Sequence, residues 1–354
     1  MKTWKANWEE SRKRYLDWWH QRGLIISMWD SMKKEGEPHT IRHKPPRPVS
    51  QEQFWFDPGY RSGYLDWQMS QASFMADILP VANTQLGPGS LGAILGASPE
   101  CRDNSIWIRK PEEFINLLQP DAQNHWWQIH INLLKACKEK SQGNYFVGMP
   151  DLMEGLDVLA SLKGTDSVLT GLILEPEKTM EWLQEINDIY FRVFDELYSI
   201  IQEEGEMAFC YFSIWGPGKV TKIQCDISSM ISEEDFRTFV QPFLQEQCRK
   251  IDFTLYHLDG VDAIRHLDAV LEIEELNAVQ WTPGVGEPQG GDPKWFPLYR
   301  KIISAGKSVM PCWVENGELQ PLLDYVGPDG LNILTNFQSE KDVEAALKIA
   351  DRYR

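Results

Sequence analysis

From residue 76 onward, the chain alternates strand-like runs with runs of helical periodicity. The strand-like runs are residues 77–85, 144–151, 207–216, 220–228, 253–260, 277–284, 307–315 and 331–337. The helical runs are residues 111–140, 154–163, 176–204, 232–250, 261–271, 294–305, 317–325 and 339–353. This alternation favours a parallel sheet covered by helices. Since the last four units recur at about 25–30 residues, we predict the α/β class and a single (β/α)8 TIM barrel over residues 76–354.

Residues 1–75 are predicted to form an N-terminal helix and an irregular extension that pack on the barrel. The helix is predicted over residues 4–23, where large apolar side chains recur at spacings of three and four. The run LIISMWD (24–30) resembles a short strand, and the proline-rich segment 35–59 resembles an irregular excursion or lid. No helix separates the runs 207–216 and 220–228. One interpretation is therefore a barrel strand plus an extra hairpin, with residues 24–30 supplying the missing strand.

Charge and cysteine usage exclude several classes of protein. With 52 acidic and 35 basic residues, the formal net charge is −17, and no basic patch suited to nucleic acid is present. The six cysteines are far apart and form no CxxC pair, which favours a reducing, cytoplasmic environment.

The charged N-terminus lacks the apolar segment of a signal peptide, and no apolar run reaches the roughly 18 residues of a membrane helix. A homodimer is compatible with the sequence.

The stretch FTLYHLDG (253–260) places a polar pair at the end of an apolar strand face. Alternate strand residues share a face, so Phe253, Leu255, His257 and Asp259 point the same way. In a barrel, the lower layers of such a face are packed, whereas the carboxyl ends of the strands carry the chemistry. We therefore predict catalytic roles for His257 and Asp259. The alternative is that Asp259 caps the following helix.

Other predicted strands also finish in polar or aromatic side chains. Asp226 and Glu315 are further catalytic candidates, and the predicted substrate-binding residues at these ends are Asp151, Gln280, Trp281 and Trp313. Carboxylates gathered in one opening repel each other, so at least one pKa should rise or a cation should bind. Each acid also has an ordinary interpretation as a helix cap or salt-bridge partner.

Two further features are candidates for ligand binding. His257 and Asp259 together could hold a zinc ion with a third ligand, or they could form a hydrogen-bonding pair that contacts substrate. The run QLGPGSLGAILG (85–96) lacks the spacing of a nucleotide-binding loop. Gly87 and Gly89 are therefore predicted to allow a tight turn, which could bring backbone amides close to a substrate.

The chain from about residue 75 to 350 resembles the uroporphyrinogen decarboxylase superfamily. The matching pieces are DILPVA, FVGMPDLMEGLDVLASLKG, CDISSMISEEDFRTFVQPFLQEQ, LYHLDG and LNILTNF. The resemblance implies a (β/α)8 barrel with its active cleft at the carboxyl ends of the strands. It also implies one of two chemistries, decarboxylation or methyl transfer linked to a corrinoid. The arginine motif of the decarboxylases, RQAGRY, is replaced here by a region with Arg22 alone.

The methyltransferase branch carries a zinc site of the form His-x-Cys with a later Cys. This sequence has His257-Leu258-Asp259 at the first element, and Thr335 and Asn336 near the position of the later cysteine. The resemblance therefore implies a methyltransferase or demethylase with an altered site, which works with a corrinoid carried by a partner protein. In this interpretation, a protonated acid assists a leaving oxygen or nitrogen of a small-molecule substrate.

Three alternatives remain open from the sequence. The first is decarboxylation of a porphyrinogen or another carboxylated small molecule. The second is glycoside hydrolysis, for which Asp226 and Glu315 would be the pair of carboxyl groups. The third is a barrel that binds a small molecule without turnover.

Overall fold

The computed structural model describes residues 3–87, 89–102 and 105–354. The elements up to residue 109 are α1 (Trp8–Trp19), β1 (Leu24–Met28), β2 (Met32–Lys33), α2 (Gln51–Phe56), α3 (Pro58–Ser70), β3 (Ala72–Ser73), β4 (Val81–Ala82), α4 (Ser90–Leu95), β5 (Ser98–Arg102) and β6 (Ser105–Arg109). The central elements are α5 (His125–Ser141), β7 (Phe146–Met149), α6 (Gly155–Lys163), α7 (Thr165–Leu174), α8 (Pro176–Ile201), β8 (Met207–Phe209), β9 (Ile214–Gly216) and β10 (Val220–Gln224). The remaining elements are α9 (Glu233–Phe239), α10 (Gln241–Lys250), β11 (Phe253–Asp259), α11 (Leu267–Leu271), β12 (Ala278–Thr282), α12 (Phe296–Ser304), β13 (Ser308–Pro311), α13 (Asn316–Val326), β14 (Leu331–Thr335) and α14 (Glu340–Ala350).

The main sheet is parallel and has six strands in the order β1-β14-β13-β12-β11-β10. Strand β1 pairs along its whole length with β14, from Leu24 opposite Leu331 to Met28 opposite Thr335. The run at residues 24–30 therefore supplies a strand of this sheet. The predicted α/β class and parallel pairing are confirmed.

A second sheet has four strands in the order β4-β7-β8-β9. Strands β4, β7 and β8 are parallel, whereas β8 and β9 form an antiparallel hairpin. Phe212 and Ser213 turn this hairpin with φ values of +63° and +47°. In the described residues the strand pairing is thus divided into two sheets and does not close, so the predicted (β/α)8 TIM barrel is not confirmed.

The helices follow the amphipathic pattern and the capping residues of the sequence. Buried residues of α8 recur every three or four positions, as in Leu183, Ile186 and Tyr190. Ser232 and Asp235 form the predicted capping box at the start of α9. The predicted helix 232–250 is divided at Val240, and Pro242 lies in the first turn of α10.

The predicted helix over residues 111–140 was too long at its N-terminus. Helix α5 begins at His125, where the side chain of Asn124 accepts a hydrogen bond from the Trp127 amide at 3.0 Å. Pro111 and Pro120 precede this cap, and proline disfavours a helical conformation at the residue before it. The antiparallel pair β5–β6 lies just before this region, in Ser98–Arg102 and Ser105–Arg109.

Helix α1 packs across the amino ends of the main-sheet strands. Trp18 Nε1 donates to the Gly330 carbonyl just before β14, at 3.1 Å, and Ser308 at the start of β13 donates to the Trp18 carbonyl. Trp19 contacts Phe253 at the start of β11, with ring centroids 5.3 Å apart. The side chains of the candidate site lie at the opposite edge of the sheet, at the carboxyl ends of the strands. In the described part of the chain, no helix combines the length and apolar character that a bilayer span requires.

Candidate functional site at the strand ends

Three side chains converge where β10 and β11 end: the carboxylates of Asp226 and Asp259 and the imidazole of His257. One potential ligand atom from each lies within 4.8 Å of the other two. His257 Nε2 is 3.9 Å from Asp259 Oδ2, because residues two apart in a strand point to the same face. We call these three residues the acid–histidine centre.

Gln280 on the neighbouring strand β12 orients the imidazole. His257 and Gln280 are opposite each other in the parallel register, and Nδ1 of His257 hydrogen-bonds to Oε1 of Gln280. Gln280 Nε2 donates to the Thr282 hydroxyl at 2.9 Å, which leaves Oε1 as the acceptor facing the ring. Burial and the nearby Lys222 ammonium lower the pKa of His257 to about 3. The ring is therefore neutral at physiological pH, with its proton on Nδ1 and the Nε2 lone pair towards the acids.

Asp226 begins a 3₁₀ turn (Asp226–Met230) that is held by Asp157 of helix α6. The Asp157 carboxylate accepts hydrogen bonds from the amides of Asp226 and Ile227, at 2.8 and 3.0 Å. Loss of hydration, followed by the charge of Asp157, raises the pKa of Asp226 to about 7. Burial likewise raises the pKa of Asp259. A carboxyl group with a pKa near neutrality can act as a general acid.

A buried lysine lies beneath the acid–histidine centre. Lys222 of β10 is fully buried, and its Nζ is 2.8 Å from Asp151 Oδ2. Glu154 is close by, and its pKa is raised well above the usual value, first of all by burial. Asp151, predicted to bind substrate, is thus only 1% exposed and is neutralised by Lys222. The ion pair leaves its carboxylate unavailable to a ligand without rearrangement.

Four aromatic side chains form a wall beside the centre: Trp29, Tyr211, Phe212 and Trp313. The ring centroid of Trp29 lies 4.5 Å from Tyr211, 4.6 Å from Phe212 and 5.8 Å from Trp313. Phe212 in turn lies 5.3 Å from the His257 ring. This aromatic wall brings together the end of β1, the β8–β9 turn and the segment after β13.

An open cleft of about 730 Å³ lies over the centre. Asp226, Asp259, Thr282 and Trp313 line it, together with the loop at residues 283–287. Trp313, which the sequence predicts to bind substrate, is one of these lining residues. A small molecule in the cleft would meet the carboxyl groups of Asp226, Asp259, Asp262 and Glu287 and the indole ring of Trp313.

Two of the predicted site residues lie elsewhere. Trp281 is fully buried and packs against Trp295 with ring centroids 4.9 Å apart, because strand alternation turns it away from the face of Gln280. Glu315 is exposed and is the N-cap of α13, where it forms a capping box with Glu318. Glu315 lines a neighbouring cavity of about 680 Å³ and is not part of the acid–histidine centre. A glycosidase-like pair of Asp226 and Glu315 is therefore not supported.

The glycines of residues 85–96 serve the turn rather than a ligand. Gly87 and Gly89 have φ values of +85° and +87°, a conformation that favours glycine. The first amides of α4 already donate to the carbonyls of Asp151 and Leu152, from Ser90 at 3.3 Å and from Leu91 at 3.0 Å. The structure thus explains both glycines without a substrate.

Sequence reasoning missed Lys222, Asp157, Glu154, Trp29, Tyr211 and Phe212. One signal was available for Lys222, because a charged residue in the middle of a buried strand needs a partner. The contacts of the other five residues depend on the turn that follows β8 and on segments that are distant in the sequence. No local pattern in the sequence marks them.

The acid–histidine centre has the donors that a divalent cation requires. A neutral imidazole with a free Nε2 and two carboxylates suits zinc or a harder metal ion, and the Nδ1 contact to Gln280 is the kind of outer support that metal-ligating histidines have. Among the described residues, no cysteine sulfur belongs to this group of potential ligand atoms. Thr335 donates to the Ser27 carbonyl at 3.0 Å and is buried. The residues therefore fit a metal with nitrogen and oxygen ligands, and they do not fit a thiolate-rich zinc site.

Comparison with known proteins finds similarity among solved structures. No protein-family model matches the sequence, and no curated protein matches it. Among solved structures, a methyltransferase from Methanosarcina mazei superposes with a TM-score of 0.58 at 12% sequence identity. The match covers 97% of this chain and 98% of the other. At this identity the similarity shows a shared fold.

Proposed function

We propose that this protein is a methyltransferase in which the acid–histidine centre activates a small methylated molecule for transfer of its methyl group. The observation that carries the proposal is the convergence of Asp226, His257 and Asp259, of which the two acids line an open cleft. Their position at the carboxyl ends of parallel strands is where α/β barrels bind substrates. The shared fold with a methyltransferase supports the same conclusion.

We also propose that the two sheets are arcs of one (β/α)8 barrel, in which β1, β4, β7 and β10–β14 are the eight strands and the β8–β9 hairpin is inserted between β7 and β10. Contacts at both seams support this arrangement. At one seam, Asp77, four residues before β4, donates from its amide to the Ile26 carbonyl of β1 at 2.9 Å. At the other, the Val220 amide of β10 lies 3.3 Å from the sulfur of Met207 in β8.

Each residue of the centre has a role that its environment favours. Asp226, with its raised pKa, donates a proton to the oxygen or nitrogen from which the methyl group departs. Gln280 holds the neutral imidazole of His257 in place. Nε2 of His257 can then accept a hydrogen bond or bind a metal ion. A cation bound by Asp226, His257 and Asp259 would supply Lewis-acid polarisation of the leaving atom. Since metal-binding carboxylates must be deprotonated, the metal content of the protein distinguishes a ligand role of Asp226 from a proton-donor role.

The methyl acceptor in this proposal is a corrinoid carried by a partner protein. The cobalt of such a corrinoid would supply the nucleophile. The residues of the chain bind and orient the methyl donor, and the open cleft leaves one side of it accessible to the partner.

The test is methyl transfer from O-methyl and N-methyl donors to reduced cobalamin, followed by absorbance, together with metal analysis of the purified protein. We expect transfer by the wild-type protein and a loss of about 100-fold or more in His257→Ala. Asp268→Asn is the matched control, because Asp268 pairs with Lys301 on α12 and lies outside the cleft. Absence of transfer with every donor class, or full activity of His257→Ala, would overturn the proposal.

If a metal is bound, wild-type protein should contain about one equivalent, and His257→Ala and Asp259→Asn should lose it. The Asp268→Asn control should retain the wild-type content. This measurement does not depend on finding the substrate.

A further inference from the structure

A cavity of about 1090 Å³ shares no lining residue with the cleft at the acid–histidine centre. Its floor includes Asp30, two residues after β1, and Asn83, which directly follows β4. Its other walls come from the segment at residues 44–51 and from helices α2 and α3. Trp29, next to Asp30 in the sequence, belongs to the aromatic wall. We call it the extension cavity.

The extension cavity is cationic in a chain of net charge −17. Lys44, Arg47 and Arg61 line it, and Asp30 is the one carboxylate among its lining residues. Burial raises the pKa of Asp30, which reduces its tendency to carry a negative charge. The aromatic side chains that line the cavity are Phe54, Trp55, Tyr60 and Tyr64.

Arg61 is the unusual member of this set. It is only 6% exposed, and among the described residues its guanidinium donates one hydrogen bond, from Nη2 to the Asn83 carbonyl at 3.3 Å. Its Nε is buried without an acceptor. The guanidinium stacks on Phe54 and Trp55, at 4.9 and 4.6 Å from the ring centroids. Among the described residues, no carboxylate pairs with it, and burial lowers its pKa to about 10.

Other buried cations of the chain are compensated. Lys222 pairs with Asp151 at 2.8 Å, and Lys5 donates to the carbonyls of Phe74 and Ala76 at 2.9 and 2.8 Å, as well as to a side-chain oxygen. An unpaired buried charge costs several kcal/mol in general. Arg61 therefore carries an electrostatic cost that an anion in the extension cavity would relieve.

We propose that the extension cavity binds an aromatic carboxylic acid, with the carboxylate on the Arg61 guanidinium and the ring among the tyrosine side chains. The planar guanidinium suits a planar carboxylate. Tyr60 and Tyr64 line the cavity, and the Arg61 guanidinium lies over the rings of Phe54 and Trp55. Lys44 and Arg47 add positive charge that attracts an organic anion. This site is separate from the acid–histidine centre and does not depend on the proposed methyl transfer.

The experiment is isothermal titration of the full chain with benzoate, benzamide, acetate and inorganic phosphate. We expect benzoate to bind at one site per chain, at least about tenfold more tightly than benzamide, which lacks the charge, and than acetate, which lacks the ring. Arg61→Gln should weaken benzoate binding by about tenfold or more. Arg300→Gln is the matched control, because Arg300 also lies over a tyrosine ring, that of Tyr325 at 5.5 Å, but on the surface.

Thermal unfolding separates a binding role from a structural role of Arg61. Without ligand, Arg61→Gln should be at least as stable as the wild-type protein, because it removes an unpaired buried charge. If Arg61→Gln does not fold, the proposal is still tested by benzoate binding to Arg61→Lys and by the comparison of benzoate with benzamide in the wild-type protein. Equal affinity for benzoate and benzamide, unchanged binding in Arg61→Gln, or phosphate binding as tight as that of benzoate would overturn the proposal.

Discussion

The Asp157 carboxylate binds the amide of Asp226 at 2.8 Å and thereby controls both the position and the charge of the neighbouring acid. The second hydrogen bond, from the Ile227 amide at 3.0 Å, fixes the turn in which Asp226 lies. The negative charge of Asp157 also opposes ionisation of Asp226, whose pKa is about 7. Asp157 of helix α6 thus fixes the position of Asp226 at the end of β10 and raises its pKa.

Replacement of Asp157 by asparagine should lower the pKa of Asp226. The amide retains one acceptor oxygen for the turn but removes the negative charge that raises that pKa, so Asp226 becomes ionised at a lower pH. Carbon-13 NMR titration of the Asp226 carboxyl group in metal-free protein measures the change. In the control variant Asp268→Asn, Asp226 should titrate as in the wild-type protein. An unchanged titration in Asp157→Asn would contradict the assigned electrostatic coupling.

Replacement of Lys222 by methionine should destabilise the fold strongly. It leaves Asp151 buried without its cation, and breaking a buried ion pair on one side costs about 3–5 kcal/mol. Urea denaturation gives the change in the free energy of unfolding. Lys301→Met is the surface control, since the pair of Lys301 with Asp268 is exposed and such pairs contribute at most about 1 kcal/mol. Equal effects of the two replacements would show that the Lys222–Asp151 pair is not needed for stability.

Local patterns in the sequence were sufficient for the strands of the main sheet and for part of the site. The alternation in residues 253–259 predicted a strand whose polar members share a face, and the structure has β11 over Phe253–Asp259 with His257 and Asp259 side by side. The same rule separates Gln280 from Trp281. Sequence reasoning grouped these two because they are adjacent at a strand end, although adjacent residues of a strand face opposite sides.

Long-range partners were beyond the reach of local patterns. Lys222 and Asp151 are 71 positions apart, and Arg61 contacts the carbonyl of Asn83, 22 positions away. Asp226 lines a cleft, whereas Glu315 caps a helix. Which of these an acid does depends on the segments that fold over it. Both acids follow strands, and the sequence around them does not distinguish the two outcomes.

Replacement of Gly148 by alanine should destabilise the second sheet by about 1–3 kcal/mol, through overpacking. A Cβ atom at this position of β7 would lie 2.7 Å from the Cys210 Cβ and 2.9 Å from the Ala82 carbonyl oxygen, and backbone cannot yield easily. Thermal or urea unfolding provides the measurement. Gly317→Ala is the control, because its Cβ would meet nothing within 4 Å in the first turn of α13. Gly317→Ala should be neutral or stabilising by up to about 1 kcal/mol, and an equal loss in both variants would contradict the packing argument.

His130 should make the protein less stable as the pH falls from about 6.5 to about 4. It is buried on α5, its Nδ1 donates to the Trp126 carbonyl at 2.7 Å, and its Nε2 has no partner. Burial lowers its pKa to about 4, whereas an unfolded histidine has a pKa of about 6.5. Between these values the unfolded state binds a proton that the folded state does not, so stability falls with decreasing pH by up to about 3 kcal/mol.

The variant His130→Gln removes this titration, which can be measured by urea denaturation at pH 7 and pH 4. His257, with a pKa of about 3, contributes in the same direction and remains in the variant, so the pH dependence should become shallower rather than vanish. The control His43→Gln changes an exposed histidine of the extension and should follow the wild-type curve. If His130→Gln loses as much stability as the wild-type protein between the two pH values, the neutral state of His130 is not what links folding to pH.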